Sequence, residues 1–303
     1  MVKQTIDGIE YRLKAPRDLT FIRRYGTVFS VIDETGSGCI CFGVGKGEAR
    51  FFIKIAGADT IEGEVTPEEA VRDLKKAVDL YTVLKHPALI RLIEHYPEDD
   101  LYVAVFEWVD GEGLFDHWNF DKYERLGIQS PNERFKALPA EKKIAAAMSI
   151  LSFFETVAAK GYRACDFYDG SLIYDFEQDH LTICDIDLFL PAPVINETGE
   201  DYWGTKRLKA PEEYQKGAVI DEATNVFTLG AMFFDFFGKY TEEQIRQRYQ
   251  ENAFAPCTPE QWTLCEDAYR VLLRATMPDR GKRYQTIHEF AEAFRRLDEY
   301  VFK

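Results

Sequence analysis

No run of 18 or more apolar residues occurs in this 303-residue chain, so no segment reads as a membrane-spanning helix. The opening residues, Met1-Val2-Lys3-Gln4-Thr5-Ile6-Asp7-Gly8, lack the apolar core of a signal peptide, and a cytoplasmic location is expected. Cysteine is sparse. Its six copies, at 39, 41, 165, 184, 257 and 265, form no Cys-x-x-Cys pair and have no His-x-x-x-His nearby. Buried reduced thiols are the expectation, with Cys39 and Cys41 alternating along one side of a strand. Basic residues are also short: 37 Lys and Arg stand against 52 Asp and Glu, a net charge of −15. That balance disfavours nucleic acid or an anionic membrane as the main partner. It leaves a nucleotide open, because a local backbone nest and one lysine can hold phosphates inside an acidic protein. Internal repeats and low-complexity tracts are absent.

What is present is apolar material: 46% of residues, with 14% aromatic, enough for a large core in one domain or two lobes. Residues 5–13 alternate around Asp7-Gly8, a hairpin signal. Asp18 suits the cap of a short helix over 19–25, stopped by Gly26. Strands are expected at 28–33, 39–44 and 50–56, with glycine-bearing turns between them. Residues 66–85 have helical period, with Leu74, Ala77, Val78, Tyr81 and Leu84 on one stripe and Pro67 in the first turn. Two more strands are expected at 89–95 and 101–106. The α+β organisation then divides: a small antiparallel sheet with one helix over 1–110, and a mostly helical part over 111–303. Helices are expected at 140–160, 221–238, 241–250, 259–275 and 286–301. Residues 115–140 are polar and aromatic without period and read as an insertion.

The most informative stretch is 161–189. Asp166 and Asp185 lie 19 positions apart, each among apolar neighbours, across a loop, a strand, a turn and a strand. This is the layout of a phosphoryl-transfer centre, in which one carboxylate orients a hydroxyl and another holds Mg²⁺. The competing reading is an acidic turn that caps a neighbouring helix.

Taken with the rest of the chain, the pattern resembles the eukaryotic-type Ser/Thr protein kinase-like superfamily, a bilobal α+β fold, from about residue 25 onward. Gly36-Ser37-Gly38 occupies the first hairpin, where glycines let backbone N–H groups approach phosphates. Cys41 stands where a third glycine is expected, with Gly43 close by, and a plain hairpin turn accounts for the same letters. Phe51-Phe52-Ile53-Lys54-Ile55 resembles the strand whose lysine pairs with nucleotide phosphates. The plainer alternative for Lys54 is an edge-strand lysine reaching solvent. The helical glutamate that would hold it falls on Ala77, with Asp73 or Glu69 as substitutes. Val103-Ala104-Val105-Phe106-Glu107-Trp108-Val109-Asp110-Gly111 resembles the hinge. The resemblance implies that Phe106 borders the adenine pocket and that backbone groups of Glu107 and Val109 bind adenine.

The acidic loop matches His-Arg-Asp-Leu-Lys-x-x-Asn with Asp166 as the catalytic Asp. Ala164 and Cys165 replace His-Arg, Tyr168 replaces the lysine, and Ser171 replaces the metal-binding Asn. Asp169 and Asp175 are further carboxylates nearby. Cys184-Asp185-Ile186-Asp187 matches Asp-Phe-Gly, with Asp185 the main Mg²⁺ (or Mn²⁺) ligand. Asp187 adds a carboxylate and, without glycine's freedom, locks the segment in one state. Gly204-Thr205-Lys206-Arg207-Leu208-Lys209-Ala210-Pro211-Glu212 matches Gly-Thr-x-x-Tyr-x-Ala-Pro-Glu. The resemblance implies a buried ion pair of Glu212 with Arg283, and a loop-binding role for Asn225. Thr198, Tyr202 and Thr205 lie in the activation segment. With Cys165 in the arginine's place, activity independent of phosphorylation there is expected.

The implied function is an ATP- and Mg²⁺-dependent kinase acting on an unknown protein substrate. Two alternatives stay open: a pseudokinase scaffold that binds nucleotide or protein, and a small-molecule kinase.

Overall fold

The computed structural model describes residues 1–115, 122–251 and 253–297. The chain divides into two compact units, Met1–Asp110 and Gly111–Lys303. The fold is mixed α and β with small antiparallel sheets.

The first unit opens with the hairpin that Asp7-Gly8 signals. β1 (Val2–Ile6) and β2 (Ile9–Leu13) pair antiparallel, with Ile6 opposite Ile9. Both turn residues have positive φ, 51° and 87°, as a tight two-residue turn demands. The Asp7 carboxylate also accepts the Val28 N–H at 2.9 Å, tying the hairpin to the next strand. The helix expected over 19–25 is a 3₁₀ helix, Thr20–Tyr25, and Asp18 accepts the Thr20 N–H at 2.9 Å. It ends at Gly26, where a Cβ would lie 2.1 Å from the Gly45 carbonyl oxygen, so only glycine fits.

β3 (Thr27–Ile32), β4 (Cys39–Lys46) and β5 (Ala49–Ala56) come next, then α1 (Pro67–Val83), β6 (Leu92–Glu98) and β7 (Leu101–Glu107). The five strands form one antiparallel sheet in the order β3-β4-β5-β7-β6. Side chains alternate between its faces. Phe42, Ile53, Ile55, Val103 and Val105 form one core with Tyr11, Leu13 and Ile22, so the N-terminal hairpin and 3₁₀ helix close that face. Each such side chain, fully buried, stabilises the unit by roughly 1.5–3 kcal/mol. α1 lies on the opposite face, where Tyr81 meets the Phe106 ring edge-on at 4.9 Å. Its start is fixed by a capping box: Thr66 Oγ1 accepts the Glu69 N–H, and the Glu69 carboxylate accepts the Thr66 N–H. The strand expected at 89–95 begins three residues later, at Leu92.

The second unit runs β8 (Glu112–Gly113), α2 (Lys122–Leu126), α3 (Pro131–Lys136), α4 (Ala140–Ala159), β9 (Tyr162–Arg163), β10 (Leu172–Asp175) and β11 (His180–Ile183). It continues with β12 (Leu190–Pro191), β13 (Val194–Ile195), β14 (Val219–Ile220), α5 (Glu222–Phe237), α6 (Glu242–Glu251), α7 (Glu266–Ala275) and α8 (Ile287–Arg295). α5 is apolar nearly all round and is buried accordingly among α4, α7 and α8. The span 115–140, expected to lack period, holds α2 and α3, and its residues 116–121 lie outside the described residues. The helix expected over 259–275 is broken. A 3₁₀ turn, Pro259–Gln261, precedes α7, because Trp262 turns inward to stack near Phe234, Phe237 and Tyr269. The last helix reaches Arg295, and residues 298–303, into which its expected end falls, lie outside the described residues.

Candidate functional site

The acidic loop hangs between two anchors. Asn225, on α5, donates from Nδ2 to the Ala164 carbonyl at 2.8 Å, and its Oδ1 accepts the Ala164 N–H at 2.9 Å. Phe167 is buried three residues later, against Phe154 at 4.8 Å and Phe189 at 6.3 Å. Between them Asp166 takes a left-handed backbone, φ 52°. Such a conformation costs a non-glycine residue energy and persists where its surroundings enforce it. The Asp166 side chain is half-buried, and the Thr205 hydroxyl donates to its Oδ1 at 3.4 Å. A small recess there is lined by Asp166, Thr205, Lys209 and Glu213.

Tyr168 is buried two residues beyond Asp166. Its ring covers Gly170, where a Cβ would come within 2.2 Å of it. Burial pushes the phenol's pKa upward, and the charges of Asp185, Asp166 and Asp169 push it further. The field of both Asp166 and Asp185 therefore reaches this one buried phenol. Ser171 is fully buried, and its Oγ has no hydrogen-bond partner. Its carbonyl accepts the Cys184 N–H at 2.9 Å, stitching the loop to the segment carrying Asp185 and Asp187. Asp185 is exposed and Asp187 half-buried. Among the described residues no cluster of three or more His, Cys, Asp or Glu side chains is arranged for a metal. Asp175 caps its own turn, accepting from Glu177 and Gln178 N–H groups, while Asp169 is bound by Arg207 and Asn132.

The segment 196–212 is tied down at several points. Tyr202 is buried, with its hydroxyl 3.1 Å from Cys165 Sγ, in an apolar cluster with Val194 and Ile220. Burial moves the Cys165 thiol up to about 11, so it is a neutral thiol at physiological pH. Thr198 is exposed. Glu212 meets Arg283 in a two-pronged pair, 2.6 and 2.9 Å, and also accepts the Thr224 hydroxyl at 2.9 Å. Burial alone would raise the Glu212 carboxyl, but the Arg283 guanidinium outweighs it and the net shift is downward. Glu213, next in sequence, goes the other way. It is buried without a guanidinium, accepts the Ala210 N–H at 2.6 Å, and is pushed up to about 8 by burial and by the charge of Glu212. Nothing in the sequence distinguishes Glu213 from a surface glutamate.

In the first unit Lys54 occupies β5, between β4 and β7, opposite Cys41 and Ala104. That rules out the edge-strand reading. Cys39 and Cys41 are buried on the same side of β4 as expected. Asp73 pairs with Arg72 and Lys76, and Glu69 serves the α1 cap. Ala77 is buried. Gly36 accepts the Glu64 N–H at 3.0 Å, and Gly38 (φ 71°) sits where a Cβ would crowd Val65 and Ala70 at 3.0 Å. The glycine turn is thus packed onto the residues leading into α1. Phe106 is buried in β7, also 6.3 Å from the Phe52 ring. The Glu107 N–H donates to the Arg91 carbonyl at 2.9 Å, its carboxylate pairs with Arg91, and Val109 is half-buried beyond it.

No protein-family model matches the sequence.

Proposed function

We propose that the protein is an ATP-dependent phosphotransferase of the Ser/Thr protein kinase-like kind, acting on a hydroxyl of a protein. The observation that carries this reading is the anchored loop that holds Asp166 in a left-handed backbone with the Thr205 hydroxyl on its carboxylate. Asp166 accepts or orients the hydroxyl proton, and its bond to Thr205 fixes the carboxylate's rotamer before substrate arrives. Lys54 pairs with nucleotide phosphates. A lysine in the middle strand of a sheet is costly unless it meets an anion. Backbone groups of Glu107 and Val109 receive the adenine beside Phe106, and Gly36 and Gly38 shape the turn near the phosphates. The strand order β3-β4-β5-β7-β6 with one helix on the lysine-bearing face supports this assignment.

Asp185, Asp187 and Ser171 offer only oxygen donors, the chemistry a hard cation prefers, and the partnerless Ser171 hydroxyl fits such a role. When bound, Mg²⁺ or Mn²⁺ supplies charge neutralisation on the phosphates.

The test is transfer of radiolabelled phosphate from ATP to generic protein substrates over hours. Transfer that disappears in Asp166→Asn is expected. One observation favours a second reading, a nucleotide-binding scaffold. Tyr168 puts a buried phenol, in the field of three carboxylates, where the family has a lysine. Nucleotide binding without any transfer decides for the scaffold.

A further inference from the structure

The second unit contains a cavity of about 240 Å³ beside the acidic loop. Phe115, Tyr123, Tyr240 and Ile245 form its sides. Asp169, Arg207, Asp235 and Arg248 form a buried layer against it. All four oxygens of the two carboxylates are occupied. Asp169 accepts from Arg207 and from Asn132, and Asp235 accepts from Arg207 at 2.7 Å and Arg248 at 2.6 Å. Burial opposes the charge on Asp235, but Arg248 and Arg207 overcome it and keep the group ionised. Lys136 also lines the space, so the charged side chains described there are three cations and two anions, a local excess of one positive charge in a chain of net charge −15.

Arg248 supplies the second observation. It is only 4% exposed and is flanked by the rings of Tyr240 at 4.6 Å and Phe254 at 5.0 Å. Two of its nitrogens serve Asp235 and the Arg207 carbonyl, while its buried Nε has no hydrogen-bond partner. An orphaned buried guanidinium N–H costs free energy until an acceptor reaches it. The layer is tied to the candidate catalytic carboxylate. Asp169 follows Asp166 by three residues, which separates their Cα atoms by at most about 10 Å. Arg207 follows Thr205 by two.

We propose that this cavity is a carboxylate-recognition subsite for the phosphate acceptor, a conclusion that rests on the kinase reading for the identity of the acceptor. The carboxylate meets the Lys136 ammonium at the cavity wall and reaches the Arg248 Nε–H, which is covered in this structure, once the side chains over it shift; its aliphatic stem lies against the aromatic walls. A glutamate side chain within about three residues of the acceptor hydroxyl spans the distance. A lysine or arginine there faces three cations, and the two carboxylates that could offset them are already paired with Arg207 and Arg248.

The test is binding of serine peptides in which a single Glu, Gln, Leu or Lys is scanned through positions flanking the serine, measured by fluorescence anisotropy on the full chain without ATP. Free succinate is the small-molecule arm. At one position the Glu peptide is expected to bind about tenfold tighter than the Gln peptide, with Lys weakest. Lys136→Gln should reduce that preference several-fold. Ile245→Trp, which fills the space without touching the ion pairs, should erase it. Succinate competing with the Glu peptide at comparable affinity marks the source as a small carboxylate, and inability to compete marks it as peptide; either supports the subsite. Peptides bound without preference for Glu at any position, or with preference for Lys, overturn it. The kinase reading fails separately: discrimination in binding with no phosphate transfer leaves the subsite standing and removes the kinase.

Discussion

Two parts of the second unit are built on opposite terms. Around Glu212, Arg283, Asn225 and Ala164 every polar group named has its partner, and most have two. Asp166 has a left-handed backbone, the buried Ser171 hydroxyl has no partner, and the buried Tyr168 phenol lies in the field of three carboxylates. The first arrangement fixes one geometry and asks nothing of a ligand. The link between the two is Asn225, which anchors Ala164 two residues before Asp166. Local strain and unmatched polar groups of this kind persist only where a well-satisfied frame supports them.

The contrast can be broken most severely at the frame. Arg283→Met leaves the Glu212 carboxylate buried without its guanidinium and should cost about 3–5 kcal/mol in urea unfolding. A paired Glu212→Gln/Arg283→Met variant should recover part of that loss. Glu213 comes next. Its folded carboxyl sits at about 8, whereas an ordinary glutamate sits near 4.5. The folded state therefore holds a proton that the unfolded chain has already released. The contribution of Glu213 to stability should be complete below pH 4.5 and be lost as pH rises through 8. Unfolding curves at pH 5 and pH 9 should differ by up to a few kcal/mol in the native chain, and by clearly less in Glu213→Gln. Asn225→Ala orphans both backbone groups of Ala164, at about 1–3 kcal/mol for each unmet partner, and should also lower any nucleotide-linked stabilisation. Tyr202→Phe removes only the bond to Cys165 while keeping the ring in its apolar cluster. About 1 kcal/mol is the expected loss. Phosphorylation cannot reach the buried Tyr202 hydroxyl without opening that cluster. Mass spectrometry of the folded protein incubated with a tyrosine kinase should leave it unmodified.

Much of this was readable in the chain for specific reasons. The Asp7-Gly8 turn, Pro67 in the first turn of α1 and the apolar run of α5 are local: a residue's identity nearly dictates its backbone or its burial. The pairing of Glu212 with Arg283, 71 residues apart, was legible only through family resemblance, since spacing alone cannot choose among many arginines. The break at Trp262 escaped because helical period ignores a side chain that turns back into the core. Glu213, Arg207 and Arg248 escaped for a related reason. A charged residue reads as surface until the fold shows that it is buried, and the same letter in Glu212 and Glu213 yields opposite shifts because one meets a guanidinium and the other a backbone N–H.

The central claim, that the strained acidic loop exists to act on a nucleotide, is tested most directly by thermal unfolding with ATP, with and without Mg²⁺ or Mn²⁺. A ligand that binds only the folded state raises the midpoint by mass action. The account predicts a rise with ATP that grows when the metal ion is added. It predicts that Asp166→Asn keeps this behaviour and that Asp185→Asn loses the metal dependence. An unchanged midpoint in the native protein at millimolar ATP with either ion would contradict it.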